Sequence, residues 1–159
     1  MPAPKPLLLM TRPRAASERF VAALPAELRA RVSPHIAPLI EIAPTGERPD
    51  LGDAGGVIFT SANAVTVCAG LGLAPTVPAY CVGDATTAVA RAAGWAAECL
   101  GETAAALIAA LRQRRIPAPL IHLHGVHTRG DVAAALTAAG RTTHGVAVYD
   151  QILLPLPPT

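Results

Sequence analysis

The chain of 159 residues is long enough for one ordinary domain, and a composition of 52% apolar and 15% charged residues is typical of a globular rather than a disordered protein. A net charge of +2, scattered arginines and 3% aromatic residues provide neither the basic stripe nor the stacking side chains that nucleic-acid binding needs. The apolar run near the amino terminus is too short for a signal peptide or a membrane span, so we expect a cytoplasmic protein that does not contact a membrane.

Apolar, strand-like runs alternate with helical stretches along the chain. The predicted strands are 7–11, 36–42, 56–61, 79–83, 96–100, 119–125 and 144–150. The predicted helices are 14–31, 63–71, 85–94, 103–114 and 130–139. Strands that lead into helices through short turns indicate an α/β fold, with parallel sheet and right-handed crossovers.

Small polar residues follow several of the predicted strands. They form the turns "TSAN" (60–63), "GDATT" (83–87), "GET" (101–103) and "GVHTRGD" (125–131). In parallel sheets ligands bind beyond the carboxyl ends of the strands, where helix N-termini present free N–H groups. Ser61 or Asn63 therefore has two open roles, as a cap of the next helix or as a contact to an anion. Four such turns on one rim predict a cleft for a ligand rich in carboxylates or phosphates.

The usual motifs of other enzyme classes are missing from the sequence. It contains neither a phosphate-binding G-x-x-x-x-G-K-[ST] loop nor a G-x-S-x-G nucleophile turn. Its three cysteines are widely spaced, so we expect buried thiols rather than a disulfide framework or a zinc knuckle.

The run "HLHGVH" allows two interpretations. His122 and His124 alternate onto one face of a strand and His127 follows in the loop, a spacing compatible with three metal-ligating imidazoles, with Asp131 near enough to be a fourth ligand. On this basis a metal-dependent hydrolase is one alternative function. In the other interpretation, which we adopt, His122 is buried in the sheet, His124 and His127 are polar rim residues, and no metal is bound.

Five segments together resemble the uroporphyrinogen-III synthase family. In order they are "LLLMTRPR" at the start, "FTSANAV" (59–65), "VGDATTAVARAAG" (82–94), "HGVHTRGDVAAALTAAG" (124–140) and "VAVYDQ" (146–151). The resemblance implies two α/β domains, each a parallel sheet flanked by helices. Residues 1–36 would begin domain 1, 37–148 would form a complete domain 2, and 149–159 would be the strand that returns to domain 1. Family members continue beyond this point, so we expect domain 1 to be only partly present and activity to be low.

The resemblance also implies a reaction. Members of the family are lyases of tetrapyrrole (haem) biosynthesis, which cyclise hydroxymethylbilane to uroporphyrinogen III with loss of water and inversion of ring D. They use no metal or organic cofactor, and we expect a monomer whose partner is this small-molecule substrate. A non-catalytic α/β module that binds a polycarboxylate is the second alternative function.

The family's site residues map onto particular positions of this chain. Tyr149 matches the tyrosine at the interdomain crossing and would donate a proton to the departing hydroxyl, unless it only packs on the linker. The residues that match substrate-binding turns are Thr60, Ser61, Asn63, Gly83 and Thr86 in domain 2, and Thr11 and Arg12 in domain 1. His124 departs from the pattern, because the family usually has an arginine before this glycine.

Overall fold

In the computed structural model, which describes residues 4–156, the chain divides into two compact units. Unit 1 comprises Met1–Ala43 and Gln151–Thr159, and unit 2 comprises Pro44–Asp150. The domain boundaries expected from the family resemblance stay a prediction. No helix in the described part of the chain is long and apolar enough to cross a membrane.

Unit 1 contains a two-stranded parallel sheet and two short helices. These are β1 (Leu7–Met10), α1 (Arg14–Ala23), α2 (Ala26–Arg31) and β2 (Ser33–Ile36), with Leu7 level with Ser33 in the sheet. The single helix predicted for 14–31 is wrong. Pro25 lacks the N–H that a continuous helix needs, and Leu24 before it is extended, at φ −62° and ψ 137°. The strand predicted for 36–42 is partly confirmed. Residues 40–42 lie in β3, which begins at Ile40, whereas Ile36 is the last residue of β2 and residues 37–39 are not in a strand.

The larger sheet has six strands in the order β3-β8-β7-β4-β5-β6. The elements are β3 (Ile40–Pro44), β4 (Gly56–Phe59), α3 (Ala62–Gly70), β5 (Ala79–Cys81), α4 (Asp84–Ala92), β6 (Ala97–Cys99), α5 (Ala104–Arg112), β7 (Leu120–Gly125), α6 (Val132–Ala138) and β8 (Thr143–Leu153). Every neighbouring pair from β8 to β6 is parallel. The α/β fold with a parallel sheet flanked by helices is therefore confirmed.

Strands β3 and β8 each contain residues of both units. The Thr45 N–H donates to the Val148 carbonyl at 3.0 Å, and the Leu154 N–H donates to the Leu39 carbonyl at 2.8 Å. From residue 39 to residue 45 the numbers rise, while those of the partner residues fall from 154 to 148. The two segments therefore run antiparallel. β8 extends to Leu153, beyond the predicted end at residue 150.

The core of unit 2 forms around β4, whose four residues are all buried. Successive side chains of a strand point to opposite faces, so Ile58 and Phe59 mark the two sides of the sheet. Ile58 lies in a cluster with Leu107 of α5 and Leu136 of α6. Phe59 meets the Trp95 ring edge-on, with ring centroids 5.4 Å apart. Burial of each large side chain contributes about 1.5–3 kcal/mol, so β4 is anchored on both faces of the sheet.

Candidate functional site

The parallel strands of unit 2 place several polar turns along one edge of the sheet. β4, β5, β6 and β7 end at this edge, and β8 passes level with the end of β7 where Tyr149 pairs with Gly125. We call this the carboxyl edge and define it by residues 60–63, 83–87, 101–103, 125–127 and 149–150. It brings together six residues predicted for the site: Thr60, Ser61, Asn63, Gly83, Thr86 and Tyr149.

The turn after β4 is built by its hydroxyl side chains. Ser61 is the N-cap of α3, and its Oγ accepts the Asn63 N–H at 3.1 Å. Capping is thus the established role of Ser61 and is not a role of Asn63. The neighbouring Thr60 Oγ1 lies 3.1 Å from His122 Nε2, a contact that joins the turn after β4 to the middle of β7.

The turn after β5 depends on the backbone of Gly83. Its φ of +82° is in the region that favours glycine, and its N–H donates to the Gly101 carbonyl at 2.8 Å, which ties the turns after β5 and β6 together. The Gly83 carbonyl accepts the Thr87 hydroxyl at 2.8 Å. Thr86, in the first turn of α4, is only 7% exposed. Gly83 therefore shapes this turn, whereas Thr86 is mostly inside it.

The part of the edge after β5 and β6 is acidic. Ligand atoms of Asp84, Cys99 and Glu102 lie within 4.8 Å of one another. Two carboxylates this close repel a further carboxylate, since like charges disfavour each other. A ligand rich in carboxylates is therefore better accommodated at the Thr60 and Ser61 end of the carboxyl edge.

Tyr149 packs directly on the backbone of β7. The side chain is 5% exposed, and the Tyr149 carbonyl accepts the Val126 N–H at 2.8 Å. A Cβ at Gly125 would lie 2.6 Å from both Cε2 and Cζ of the ring, so only glycine leaves room for it. Gly125 is a site residue that the sequence reasoning missed. A glycine inside a strand pattern often marks a close approach of this kind, and that signal was available in "HLHG".

The three histidines make separate contacts. His122 is 3% exposed, and burial, with a smaller contribution from His124, lowers its pKa from 6.5 to about 4 against the opposing effect of Asp131. His124 Nδ1 donates to the Gly125 carbonyl at 2.7 Å, and its ring centroid lies 4.7 Å from that of His122. The exposed His127 has Nε2 3.4 Å from Asp150 Oδ1. The prediction that His122 is buried and shares a face with His124 is confirmed.

These contacts remove the basis of the metal-dependent hydrolase. Among residues 4–156, only Asp84, Cys99 and Glu102 bring three metal-ligating atoms close enough for one ion, and His122, His124 and His127 form no such group. Two of the rings instead use a nitrogen for Thr60 or for a backbone carbonyl. The three-imidazole site is therefore not supported.

Thr11 and Arg12 belong to unit 1 and follow β1. Thr11 is half-buried and its carbonyl accepts the Leu39 N–H at 3.0 Å. Arg12 is exposed, and its carbonyl accepts the hydroxyl of the buried Ser17 at 3.1 Å. The backbone of both residues is thus fixed, while the Arg12 guanidinium is accessible to solvent.

Comparisons with known proteins give a consistent result. A family model described as uroporphyrinogen-III synthase HemD matches residues 22–156. A solved uroporphyrinogen-III synthetase from Helicobacter pylori 26695 superposes with a TM-score of 0.61 at 18% identity, over 97% of this chain and 65% of that one. Two structures of the uroporphyrinogen III synthase from Thermus thermophilus are also similar. The mutant superposes with a TM-score of 0.53 at 15% identity, over 94% of this chain and 64% of that one. The wild type superposes with a TM-score of 0.51 at 18% identity, over 94% of this chain and 63% of that one.

A search of curated protein sequences found no match. The solved structures share the fold, and this chain spans less than two thirds of the length of each. The family model matches residues 22–156, which is most of the chain. The protein therefore belongs to the uroporphyrinogen-III synthase family.

Proposed function

We propose that this protein acts as a uroporphyrinogen-III synthase, a lyase that cyclises hydroxymethylbilane to uroporphyrinogen III with inversion of ring D. The observation that carries the proposal is the family match over residues 22–156. The carboxyl edge supports it, because hydroxyl side chains and helix-starting turns suit a substrate with eight carboxylates.

The proposed substrate contacts are at the turns of the carboxyl edge. Thr60, Ser61 and Asn63 would bind carboxylates, away from the acidic pair Asp84 and Glu102. Gly83 and Thr86 would shape the neighbouring turn. The family resemblance adds Thr11 and Arg12 as proposed substrate contacts, and the exposed Arg12 guanidinium suits a carboxylate.

Tyr149 is the proposed catalytic residue. The lone pair of a pyrrole nitrogen expels the hydroxyl group, which takes the phenolic proton of Tyr149 and leaves as water. Positioning matters more than acid strength here, because the substrate is itself reactive and the enzyme must hold ring D in one geometry. The packing of the Tyr149 ring on Gly125 supports this role, since it limits where the hydroxyl can lie.

A coupled assay with hydroxymethylbilane tests the proposal. Uncatalysed closure does not invert ring D and gives the type I isomer, so the ratio of type III to type I product measures catalysis. We expect type III product above the uncatalysed level, and less of it from Tyr149→Phe at unchanged binding. Equal product ratios with and without the protein would refute the catalytic function.

A second candidate is a non-catalytic module that binds a polycarboxylate. The observation that favours it is the burial of the proposed acid, since Tyr149 is only 5% exposed, whereas Thr60, Ser61 and Asn63 are partly exposed to a ligand. Binding of uroporphyrin III, the stable oxidised form of the product, without any type III product from hydroxymethylbilane would support this alternative.

We also propose that the protein is a cytoplasmic monomer. The free thiols of Cys68 and Cys81, both buried, support a reducing compartment. Sedimentation equilibrium would test the monomeric state, and fractionation of cells that make the protein would test the compartment.

A further inference from the structure

His122 is a polar side chain in a place where an apolar one would be ordinary. It is level with Ile58 in the sheet, so it lies on the face that packs against α5 and α6. A buried imidazole is costly unless its polar atoms are hydrogen-bonded. Its Nε2 atom forms a hydrogen bond with Thr60 Oγ1, at a distance of 3.1 Å. The family resemblance assigns no role to His122.

We propose that His122 is a positioning residue that makes Thr60 a hydrogen-bond donor to the substrate. In this arrangement Nε2–H of His122 donates to Thr60 Oγ1, and the proton of the Thr60 hydroxyl is left to point away from the ring toward a carboxylate. The inference deepens the proposed function, on which it rests for the role of the Thr60 turn.

The hydroxyl group of Thr60 can donate only one hydrogen bond. A threonine hydroxyl has one proton to donate and two lone pairs that accept. If Nε2 were unprotonated, it would accept the only proton of Thr60, which would then present lone pairs alone and repel a carboxylate. If Nε2 carries the proton, Thr60 accepts from the ring and donates to the ligand. The tautomer of His122 thus decides whether this turn attracts or repels the substrate.

The surroundings of the ring keep it neutral and in place. Burial lowers the pKa of His122 to about 4, so near neutral pH the ring holds a single proton. The His124 ring packs beside it, with centroids 4.7 Å apart, and is itself fixed by donation from Nδ1 to the Gly125 carbonyl. A neutral ring that cannot swing away holds Thr60 in one orientation.

NMR of the protein without ligand tests the tautomer directly. In long-range ¹H–¹⁵N spectra we expect a protonated Nε2 and an unprotonated Nδ1 for His122 at pH 7. The Nε2 signal should shift in Thr60→Val. It should not shift in the control Thr66→Val, because the Thr66 hydroxyl donates to a carbonyl within α3. A protonated Nδ1 with an unprotonated Nε2 would overturn the proposal.

Binding of uroporphyrin III tests the consequence. His122→Met removes the donor at similar size. The Thr60 hydroxyl keeps its proton but is no longer held toward the ligand, so we expect binding about fivefold weaker, as for a net hydrogen-bond contribution of about 1 kcal/mol. His122→Gln retains an N–H in reach of Thr60 and should bind within about threefold of the parent. The exposed His144 provides the control variant His144→Met, which should bind normally.

A double variant separates positioning from a general structural role. In a Thr60→Val background His122→Met should cause no further loss of binding, because His122 acts through Thr60. The same loss in both backgrounds would overturn the inference. Failure of the parent protein to bind uroporphyrin III would instead refute the proposed function, while the NMR result still decides the tautomer.

Discussion

Replacement of Gly125 by alanine should destabilise unit 2 by displacing the ring of Tyr149. The added Cβ would lie 2.6 Å from Cε2 and Cζ of the ring and 2.9 Å from its hydroxyl oxygen. Ordinary contacts between carbon atoms are about 3.5–4.0 Å, so the ring must retreat by about 1 Å. Overpacking of this kind costs about 1–3 kcal/mol, of which the lower entropy of the unfolded alanine chain offsets about 0.4–1 kcal/mol. Gly125 does not have a positive φ, so backbone strain adds nothing.

Urea unfolding followed by circular dichroism measures this effect. We expect the free energy of unfolding of Gly125→Ala to fall by about 1–2 kcal/mol. Gly70→Ala is the matched control, because a Cβ there meets nothing within 4 Å, and it should be neutral or stabilising. In a Tyr149→Leu background Gly125→Ala should lose most of its cost. An equal cost in the presence and absence of the ring would refute the reasoning.

Three further predictions concern other parts of the structure. Ser61→Ala should lower the free energy of unfolding by about 1 kcal/mol through loss of the α3 cap, whereas Ser61→Asp should keep the cap and repel a polycarboxylate. A urea midpoint for Ser61→Ala equal to that of the parent would contradict the capping role. The pKa of His122 is lower in the folded state (about 4) than its ordinary value of 6.5, so its contribution to stability is present above pH 6.5 and is lost as the pH falls toward 4. Between pH 7 and pH 5 this loss of unfolding free energy is about 2 kcal/mol. Urea unfolding of the parent and of His122→Gln at both pH values should show the loss in the parent alone. An equal pH dependence of the two proteins would mean that the ring is free to charge in the folded state. Limited proteolysis should cut outside Pro44–Asp150 first, and early cleavage within 56–140 would disagree with a compact unit 2.

The elements of unit 2 were predictable because their signals are local. The run "GVIF" is apolar throughout, and β4 is buried on both faces. Thr103 marks the start of α5, where its side chain accepts the Ala106 N–H at 3.1 Å. Gly94, with φ +92°, follows the end of α4. Such caps act within a few residues, so the sequence displays them without knowledge of the fold.

The elements of unit 1 were less predictable because they depend on distant partners. β2 is short, largely exposed and contains Pro34, none of which favours a strand. It exists because its backbone pairs with β1, with Met10 level with Ile36. The helical periodicity of 14–31 also predicts one continuous helix. Pro25 divides it into two, because the residue before a proline favours an extended conformation.

The candidate site likewise has features that could be predicted from the sequence and features that could not. The cap at Ser61 and the positive φ of Gly83 follow from residue type and position in a turn. The hydrogen bond between Thr60 and His122 joins residues that are 62 positions apart in sequence, and no local sequence pattern predicts it. A short list of polar turns was therefore predictable, whereas the contacts that orient those turns were not.

The charge distribution along the carboxyl edge determines how a polycarboxylate would be bound there. The end near β4 offers the hydroxyls of Thr60 and Ser61 beside a neutral His122, whereas the end near β6 holds the carboxylates of Asp84 and Glu102. Neutral donors bind an anion through directional hydrogen bonds and without a net charge. The strength of such a hydrogen bond depends on its geometry, so each hydroxyl must be held in one orientation. If the proposed function holds, the hydrogen bonds that fix the turn after β4 contribute to binding by orienting its hydroxyl groups. If His122 is the donor, its loss would leave the position of Thr60 nearly unchanged, but the hydroxyl proton of Thr60 would no longer be held toward a carboxylate.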